Sequence, residues 1–294
     1  MTELVLPAVF AAFLWWFSTG LVLLLDGLPR TTFRWSLALA TLMALAGIAM
    51  IGLSAGDTGV ASAYVGFIGA LLVWGWQELS FLTGWITGPR VTAASARAGS
   101  WRHFRQAVAA ILWHELAIAA CGLLIAAITW HGANRVALWT YLVLWVMRSS
   151  AKLNLFFGVR NLNAELLPAH LAYLQSFFRR RRMNLLFPLS VVGGTAVATA
   201  LALRALDPAA SDFTTTGLAL VAALLALAVL EHWLMVLPIN VNAIWQWATR
   251  SHRRAPSAPT RGERRDDPWA TDAAHAAPPL ASTLPAAVRG GGPS

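Results

Sequence analysis

Charged residues are scarce in this chain. Asp, Glu, Lys and Arg make up 12% of its 294 residues, whereas 57% are hydrophobic. A soluble protein of ordinary composition has about a quarter charged residues. The mean hydropathy is correspondingly high, at +0.59. This composition excludes an ordinary soluble globular protein and predicts a chain whose main solvent is lipid.

Cysteine is almost absent, and the single Cys121 excludes both a disulfide within one chain and a cysteine-rich metal site. The sequence also lacks a glycine-rich phosphate loop, HExxH, CxxC and a nucleophile elbow. It therefore shows none of the local motifs that mark nucleotide binding, zinc proteolysis, thiol redox chemistry or hydrolase catalysis. The first ten residues, MTELVLPAVF, have no basic region before the apolar run, so we expect no cleaved signal peptide.

Long apolar runs are what the chain has instead. Crossing a hydrocarbon core of about 30 Å takes roughly 20 apolar residues as a helix. Lipid offers the backbone no hydrogen-bond partners, so these runs must be helical. We therefore predict an all-α, polytopic integral membrane protein with about seven transmembrane helices. The seven runs are Leu4–Leu25, Trp35–Leu53, Val60–Leu82, Gln106–Trp130, Val136–Gly158, Asn184–Ala205 and Thr215–Ile239.

The arginines predict the orientation of these helices. With seven spans, the loops at 26–34, 83–105 and 159–183 lie on one side and carry eleven arginines, whereas the other side has only Arg135 and Arg204. Basic loops stay in the cytoplasm, so we expect a periplasmic N-terminus and a cytoplasmic C-terminus. The net charge of +9 is then mainly topological, and we do not expect nucleic-acid binding.

Two further segments complete the predicted organisation. Leu171, Leu174 and Phe178 recur at helical spacing before the run Arg179–Arg182, which predicts an amphipathic helix over 168–182 at the interface with anionic lipid. The same pattern also suits a simple topology anchor. Residues 1–250 form the predicted membrane domain. The tail over 251–294 is rich in Ala, Pro, Arg and Gly without periodicity, which is typical of disorder.

Ionisable residues inside the apolar runs are the candidate site, because a charge in hydrocarbon costs several kcal/mol unless it is paired. Their positions along the runs place all of them in the cytoplasmic half, with Glu78 at the rim. Arg148 and Lys152 are four residues apart and share one helix face. The predicted intramembrane polar cluster consists of Glu78, His114, Glu115, Arg148, Lys152, Glu231 and His232.

Three interpretations of this cluster remain open. It can be a buried ion-pair network that fixes helix order. It can be a metal site with His114, Glu115, Glu231 and His232 as ligands, although the Glu-x-x-His pairs of di-iron bundles are absent. It can also contact a tetrapyrrole, because a neutral histidine in an apolar, tryptophan-rich pocket can bind the metal of a chlorin or haem.

Six stretches, spread in order over residues 13 to 238, together carry a resemblance to one family. They are FLWWFSTG at 13–20, WGWQELSFLTGWITGP at 74–89, LWHELAIA at 112–119, RSSAKLNLFFGVRNLNAELLP at 148–168, NLLFPLS at 184–190 and LEHWLMVLP at 230–238. The sequence resembles the PuhE family of photosynthetic complex assembly proteins of purple-type anoxygenic phototrophic bacteria. This resemblance covers the membrane domain but not the tail.

The resemblance implies a multi-pass protein of the bacterial inner membrane, encoded alongside reaction-centre genes. Its implied role is to support assembly of the reaction-centre and light-harvesting complex, or to supply bacteriochlorophyll to it. Its expected partners are membrane lipid and reaction-centre or light-harvesting subunits or pigment-synthesis enzymes, and its expected ligand is bacteriochlorophyll or a precursor rather than iron. The resemblance implies no catalytic residues. The alternatives are a metal-dependent oxidoreductase of bacteriochlorophyll biosynthesis and, third, a proton-coupled transporter.

Overall fold

The computed structural model describes residues 2–162 and 167–237 of the chain. Within these ranges the protein is all-helical, with one isolated bridge between Val159 and Arg180 and no strand. The tail predicted over 251–294 and the last two residues of the seventh predicted span lie outside the described residues. The helices are α1 Thr2–Asp26, α2 Phe33–Ser54, α3 Val60–Leu82, α4 Trp101–Thr129, α5 Val136–Phe157, α6 Leu186–Ala205 and α7 Asp212–Leu234.

Six of these helices are long and apolar enough to cross a membrane. They are α1, α2, α3, α4, α6 and α7. Seven runs were predicted to cross, and the helix that falls short of this test is α5. Its length of 22 residues is ordinary for a span, but Arg148, Lys152 and Asn154 lower its hydropathy. The chain is therefore an all-α, multi-pass membrane protein, and its described residues include six apolar spans and one more polar helix of similar length.

Helix α5 runs through the same thickness of the bundle as its neighbours. Just before it, the Asn134 N–H donates to Ala55 O at 3.0 Å, in the loop between α2 and α3. Its first residue, Val136, lies against Gly217 near the start of α7. Just after it, the Asn161 N–H donates to Met235 O at 2.9 Å, beyond the end of α7. Since α5 and α7 begin and end together, α5 lies within the membrane domain and not on its surface.

The predicted grouping of the basic loops is confirmed at one end of the bundle. His170 Nε2 lies 2.8 Å from Leu82 O, and its ring centroid is 6.1 Å from that of Phe33. Burial holds the pKa of His170 below its ordinary value, so a neutral ring can donate to this carbonyl. The Ala94 N–H donates to Ser176 Oγ at 2.8 Å. The loops after α1, α3 and α5 are thus packed together, and with them the eleven arginines.

The predicted amphipathic helix over 168–182 is wrong in type and extent. The segment forms a 3-10 helix, Ala169–Phe177, and Arg179–Arg182 lie beyond its end. Leu171, Leu174 and Phe177 are buried in one cluster with Phe81 of α3. Their spacing of three residues is the period of a 3-10 helix, so a single apolar edge can face the protein all along the segment. Its apolar side chains therefore pack on α3 and α4 and not into lipid.

Side-chain caps explain where two predicted boundaries moved. Helix α4 begins at Trp101, five residues before the predicted start, because the Ser100 side chain accepts the His103 N–H as an N-cap. The polar stretch after Ser100 hid this turn from a hydropathy criterion. Asn184 was predicted as the first residue of the sixth span, but α6 begins at Leu186, and Asn184 Oδ1 accepts the N–H groups of Leu186 and Phe187 from just before the helix.

Glycines bring α2 and α3 into close contact. A Cβ at Gly47 would lie 2.7 Å from Gly69 O, and a Cβ at Gly69 would lie 2.8 Å from Gly47 O. Close approach through small residues is the usual means of helix association in membranes, where no hydrophobic force drives helices together. At this contact glycine is required by its neighbours.

If α5 crosses the membrane, the loops after α3 and α6 must lie on opposite sides. We expect Ala98→Cys to be labelled by an impermeant maleimide only after cells are permeabilised, and Ala209→Cys to be labelled in intact cells. Both positions are exposed in their loops, and Cys121→Ser removes the single native thiol. Labelling of both positions from the same side would show that α5 does not cross.

Candidate functional site: an ion-paired cavity

A cavity of about 450 Å³ lies between α1, α3, α5 and α7, on the side of the bundle where the basic loops are packed. Most of its walls are apolar, and Trp15, Trp74 and Phe81 are among them. The charged residues of the lining are Glu78, Arg148, Lys152 and Glu231. A concave, mainly apolar site with a few polar groups and a volume of about 300–1,000 Å³ is typical of small-molecule binding.

The central polar contact of the cavity joins α5 to α3. Arg148 Nε donates to Glu78 Oε1 at 2.9 Å, and Arg148 Nη2 donates to Glu78 Oε2 at 2.8 Å. Two parallel bonds of this kind fix the geometry as well as the charge balance. Glu78 was predicted at the rim of the cluster, and the structure places it in the strongest ion pair.

A second ion pair joins α5 to α4. Lys152 Nζ donates to Glu115 Oε1 at 2.6 Å and lies 6.0 Å from the ring centroid of Phe81. Arg148 and Lys152 are one helical turn apart on the same face of α5, as the sequence predicted. That face therefore binds α3 with one cation and α4 with the other.

Glu231 has a different kind of partner. Its Oε1 accepts a hydrogen bond from Trp15 Nε1 at 2.8 Å, which ties α7 to α1. Among the described residues it forms no ion pair. Helix α7 ends at Leu234 and not at the predicted Ile239, so Glu231 lies about 5 Å from the helix end, closer than the sequence suggested. Of the two acids in the described cavity lining, Glu78 is paired with Arg148, whereas Glu231 has no cation of its own in the described part of the chain.

His114 is buried with 0% of its surface accessible, and it does not line the cavity. Its ring centroid lies 4.5 Å from that of Phe81. Neither ring nitrogen has a hydrogen-bond partner in the described part of the chain. Its backbone N–H donates at 2.9 Å to Thr87 O, where the loop after α3 is wedged against α4. A Cβ on the neighbouring Gly88 would lie 2.1 Å from Ala109 O, so only glycine fits that contact.

His232 lies apart from the cavity even though its neighbour Glu231 lines it, because adjacent residues point about 100° apart round a helix. Its Nε2 lies 2.9 Å from Ser150 Oγ, and its Nδ1 lies 2.8 Å from Ala228 O. Ser150 continues to Ser190 at 2.8 Å, so this polar chain joins α7, α5 and α6. Both ring nitrogens of His232 are therefore engaged by the protein.

The seven predicted residues separate into three groups. Glu78, Arg148, Lys152 and Glu115 form two ion pairs across α3, α4 and α5, and Glu231 faces the same cavity from α7. His114 packs behind the cavity, and His232 belongs to another contact. In the ranges that the structure describes, no three His, Cys, Asp or Glu residues converge as a metal site. The predicted donors thus do not fit a metal ion there.

Sequence reasoning missed two residues of the site and one carboxylate near it. Trp15 gave no signal, because nothing in a sequence of many tryptophans links it to Glu231 across 216 positions. Gly75 also lines the cavity, and its spacing from Leu71 and Glu78 could have placed it on their face. Asp26 is buried at the end of α1, with 4% exposure, and as an acid closing an apolar run it could have been noted.

Removing one partner of the Arg148–Glu78 pair should destabilise the protein more than removing both. Arg148→Met leaves the Glu78 carboxylate unpaired and is expected to cost about 3–5 kcal/mol, whereas Glu78→Leu combined with Arg148→Met should recover most of that loss. The measurement is thermal unfolding in detergent. Arg135→Met, an exposed arginine that bonds only a backbone carbonyl, is the control. A double variant as unstable as Arg148→Met would contradict the ion-pair account.

The two histidines should respond oppositely to the same substitution. His114→Phe removes two buried nitrogens that have no partner among the described residues, each of which costs about 1–3 kcal/mol, so the melting temperature should stay equal or rise. His232→Phe breaks two hydrogen bonds and should lower the melting temperature. If His114→Phe lowered it as much as His232→Phe, the His114 imidazole would have a polar role that the described contacts lack.

Comparison with known proteins gives the family. A family model described as "Protein of unknown function (DUF3623)" matches residues 1–256. A Rhodobacter capsulatus protein named "Uncharacterized 30.4 kDa protein in puhA 5'region" is 39% identical over 246 residues, which covers 82% of this chain and 89% of that protein. No solved structure matches the chain at a significant level. Since the family model covers well over half of its length, the chain belongs to the DUF3623 family.

Proposed function

We propose that the protein is an integral membrane factor that supports assembly of the photosynthetic reaction-centre and light-harvesting complex, or supplies bacteriochlorophyll to it. The observation that carries the proposal is the relative whose printed name places it in the puhA 5' region. The resemblance of six stretches to the PuhE family leads to the same neighbourhood of photosynthesis genes. The relative and the resemblance together are the basis on which we extend a photosynthetic role to this chain.

The structure supports a membrane factor that handles a small molecule. The cavity lies between helices of which three are apolar spans, and its lining is mainly apolar with a few charged residues. A bacteriochlorin in transit between synthesis and assembly needs such shelter from water. The two alternatives, a metal-dependent oxidoreductase and a proton-coupled transporter, gain no specific contact among the described residues.

The proposed location is the bacterial inner membrane, with the N-terminus periplasmic and the C-terminus cytoplasmic. Eleven arginines at one end of the bundle, against two at the other, support this orientation. Anionic headgroups of the cytoplasmic leaflet attract such residues by about 1 kcal/mol each. The packed loops after α1, α3 and α5 are therefore the surface that would meet cytoplasmic enzymes or the loops of partner subunits.

A deletion strain of a phototrophic host tests this function. Loss of the gene should lower the membrane absorption bands of the assembled complexes several-fold, and the wild-type gene should restore them. Glu231→Gln together with Glu115→Gln should restore less than wild type, whereas Asp207→Asn, in an exposed loop outside the cavity, should restore fully. Immunoblotting checks that the variants accumulate equally.

The same strain separates the two parts of the proposal. If pigment supply fails, total bacteriochlorophyll should fall together with the complexes and a precursor should accumulate. If assembly fails, pigment synthesis should continue while the complexes are depleted. Complex yield and pigment content that both remain at wild-type level in the deletion strain would overturn the proposed function.

A further inference from the structure

Gly75 of α3 lines the cavity and borders open space. It lies at the middle of the α3 face that carries Leu71, Glu78 and Leu82 into the cavity. A Cβ there would meet no atom within 4 Å, so no neighbouring helix requires glycine. Glycine inside a helix costs about 1 kcal/mol relative to alanine. The Gly47–Gly69 contact shows what a packing glycine looks like, and Gly75 has no such neighbour.

Arg148 has N–H groups that no described residue accepts a hydrogen bond from. Glu78 takes the Nε and one Nη2 proton, and no described residue accepts a hydrogen bond from Nη1. The side chain is 37% accessible and lines the cavity, so its remaining N–H groups face that space. A donor left without an acceptor where water is scarce is costly. These groups therefore suit a ligand that carries a hydrogen-bond acceptor.

The charge balance of the cavity favours a neutral ligand. Glu78 compensates Arg148, Glu115 compensates Lys152, and Glu231 adds a carboxylate without a cation of its own. Among the described lining residues no positive charge is left over to hold an anionic group, and Glu231 would repel one. A neutral carbonyl can accept from Arg148 at no such electrostatic cost. The second oxygen of Glu231 receives no hydrogen bond from a described residue, so it can accept a donor of the ligand.

We propose that this cavity binds a neutral amphiphile with a flat, carbonyl-bearing ring, whose carbonyl accepts from Arg148 and whose ring lies over Gly75. The ring faces of Trp15, Trp74 and Phe81 in the cavity wall suit such a shape. Two kinds of membrane molecule share this chemistry, an isoprenoid quinone and an esterified bacteriochlorin. For the bacteriochlorin, the proposal rests on the proposed function and names the ligand chemistry of its cavity, whereas binding of the quinone alone would separate the cavity from that function.

Three probes test the ligand chemistry on the full chain in phosphatidylcholine nanodiscs: a short-chain ubiquinone, a bacteriochlorin methyl ester and the corresponding free carboxylic acid. Retained probe is extracted from washed nanodiscs and measured by its own absorption. At least one neutral probe should bind saturably. The ester should bind about tenfold more tightly than the acid, because the acid places a second uncompensated anion beside Glu231.

Substitutions at two glycines test whether the ligand lies over Gly75. Gly75→Leu fills the space over α3 and should weaken the neutral probe about tenfold or more, because an inserted side chain competes for the same volume. Gly193→Leu is the matched control, since Gly193 also lies within a helix, also has no atom within 4 Å of its Cβ position and does not line the cavity. Gly75→Ala checks that substitution at this position leaves the protein folded.

The charge of Glu231 provides an independent test. Gln at this position can still accept from Trp15 but removes the negative charge, so Glu231→Gln should reduce the preference for ester over acid several-fold. The proposal is overturned if no neutral probe binds, if Gly75→Leu and Gly193→Leu bind alike, or if the acid binds more tightly than the ester. Binding of the quinone alone or of the ester alone shows which of the two kinds of membrane molecule the cavity takes. Complementation of the deletion strain tests the assembly role separately.

Discussion

The cost of placing charge among apolar helices determines how this bundle is arranged. Two cations on one face of α5 cannot face lipid, and each must find a carboxylate on a neighbouring helix. Glu78 of α3 and Glu115 of α4 supply them at hydrogen-bond distance. The side chains of one helical turn therefore decide which helices surround α5 and at what height. Because buried pairs of this kind add little net stability, their main effect is to select one arrangement of helices.

Where no ion pair joins two helices, small residues allow the helices to pack closely. Helices α2 and α3 meet through Gly47 and Gly69, and α6 meets α7 where Gly194 lies against Val229. At Gly47 and Gly69 no side chain separates the two backbones, and at Gly194 the absence of a side chain leaves room for the side chain of Val229. The cavity lies between the ion-paired face of α5 and helix α1, where Trp15 of α1 donates a hydrogen bond to Glu231 of α7.

Much of this arrangement could be predicted from the sequence, but only in one dimension. Apolar runs predicted the seven α-helices of the described residues, and residue position predicted the half of the bundle in which the charges lie, although Glu231 is closer to the end of α7 than expected. The position of a residue along the bundle does not show which neighbouring helix its side chain faces. The sequence therefore could not show that Glu78 pairs with Arg148 or that His232 points away from the cavity that Glu231 lines. The 3-10 helix was missed because the spacing of Leu171 and Leu174 fits both an α-helix and a 3-10 helix. The next buried residue distinguishes the two, and it is Phe177 and not the expected Phe178. The Thr87–Gly88 wedge depends on a backbone contact that no side-chain pattern encodes.

Glu231 connects the architecture with the expected function. A carboxylate near the end of a membrane helix needs no cation if water or headgroups reach it, so its survival there is not surprising. What requires explanation is that it faces a cavity whose two cations are already compensated. If stability alone were selected, a glutamine could keep the hydrogen bond from Trp15 without adding charge. The Glu231 carboxylate repels anions from the cavity, whereas the remaining N–H groups of Arg148 can donate to a ligand. Together these two features favour neutral, acceptor-bearing molecules in a membrane rich in anionic lipids.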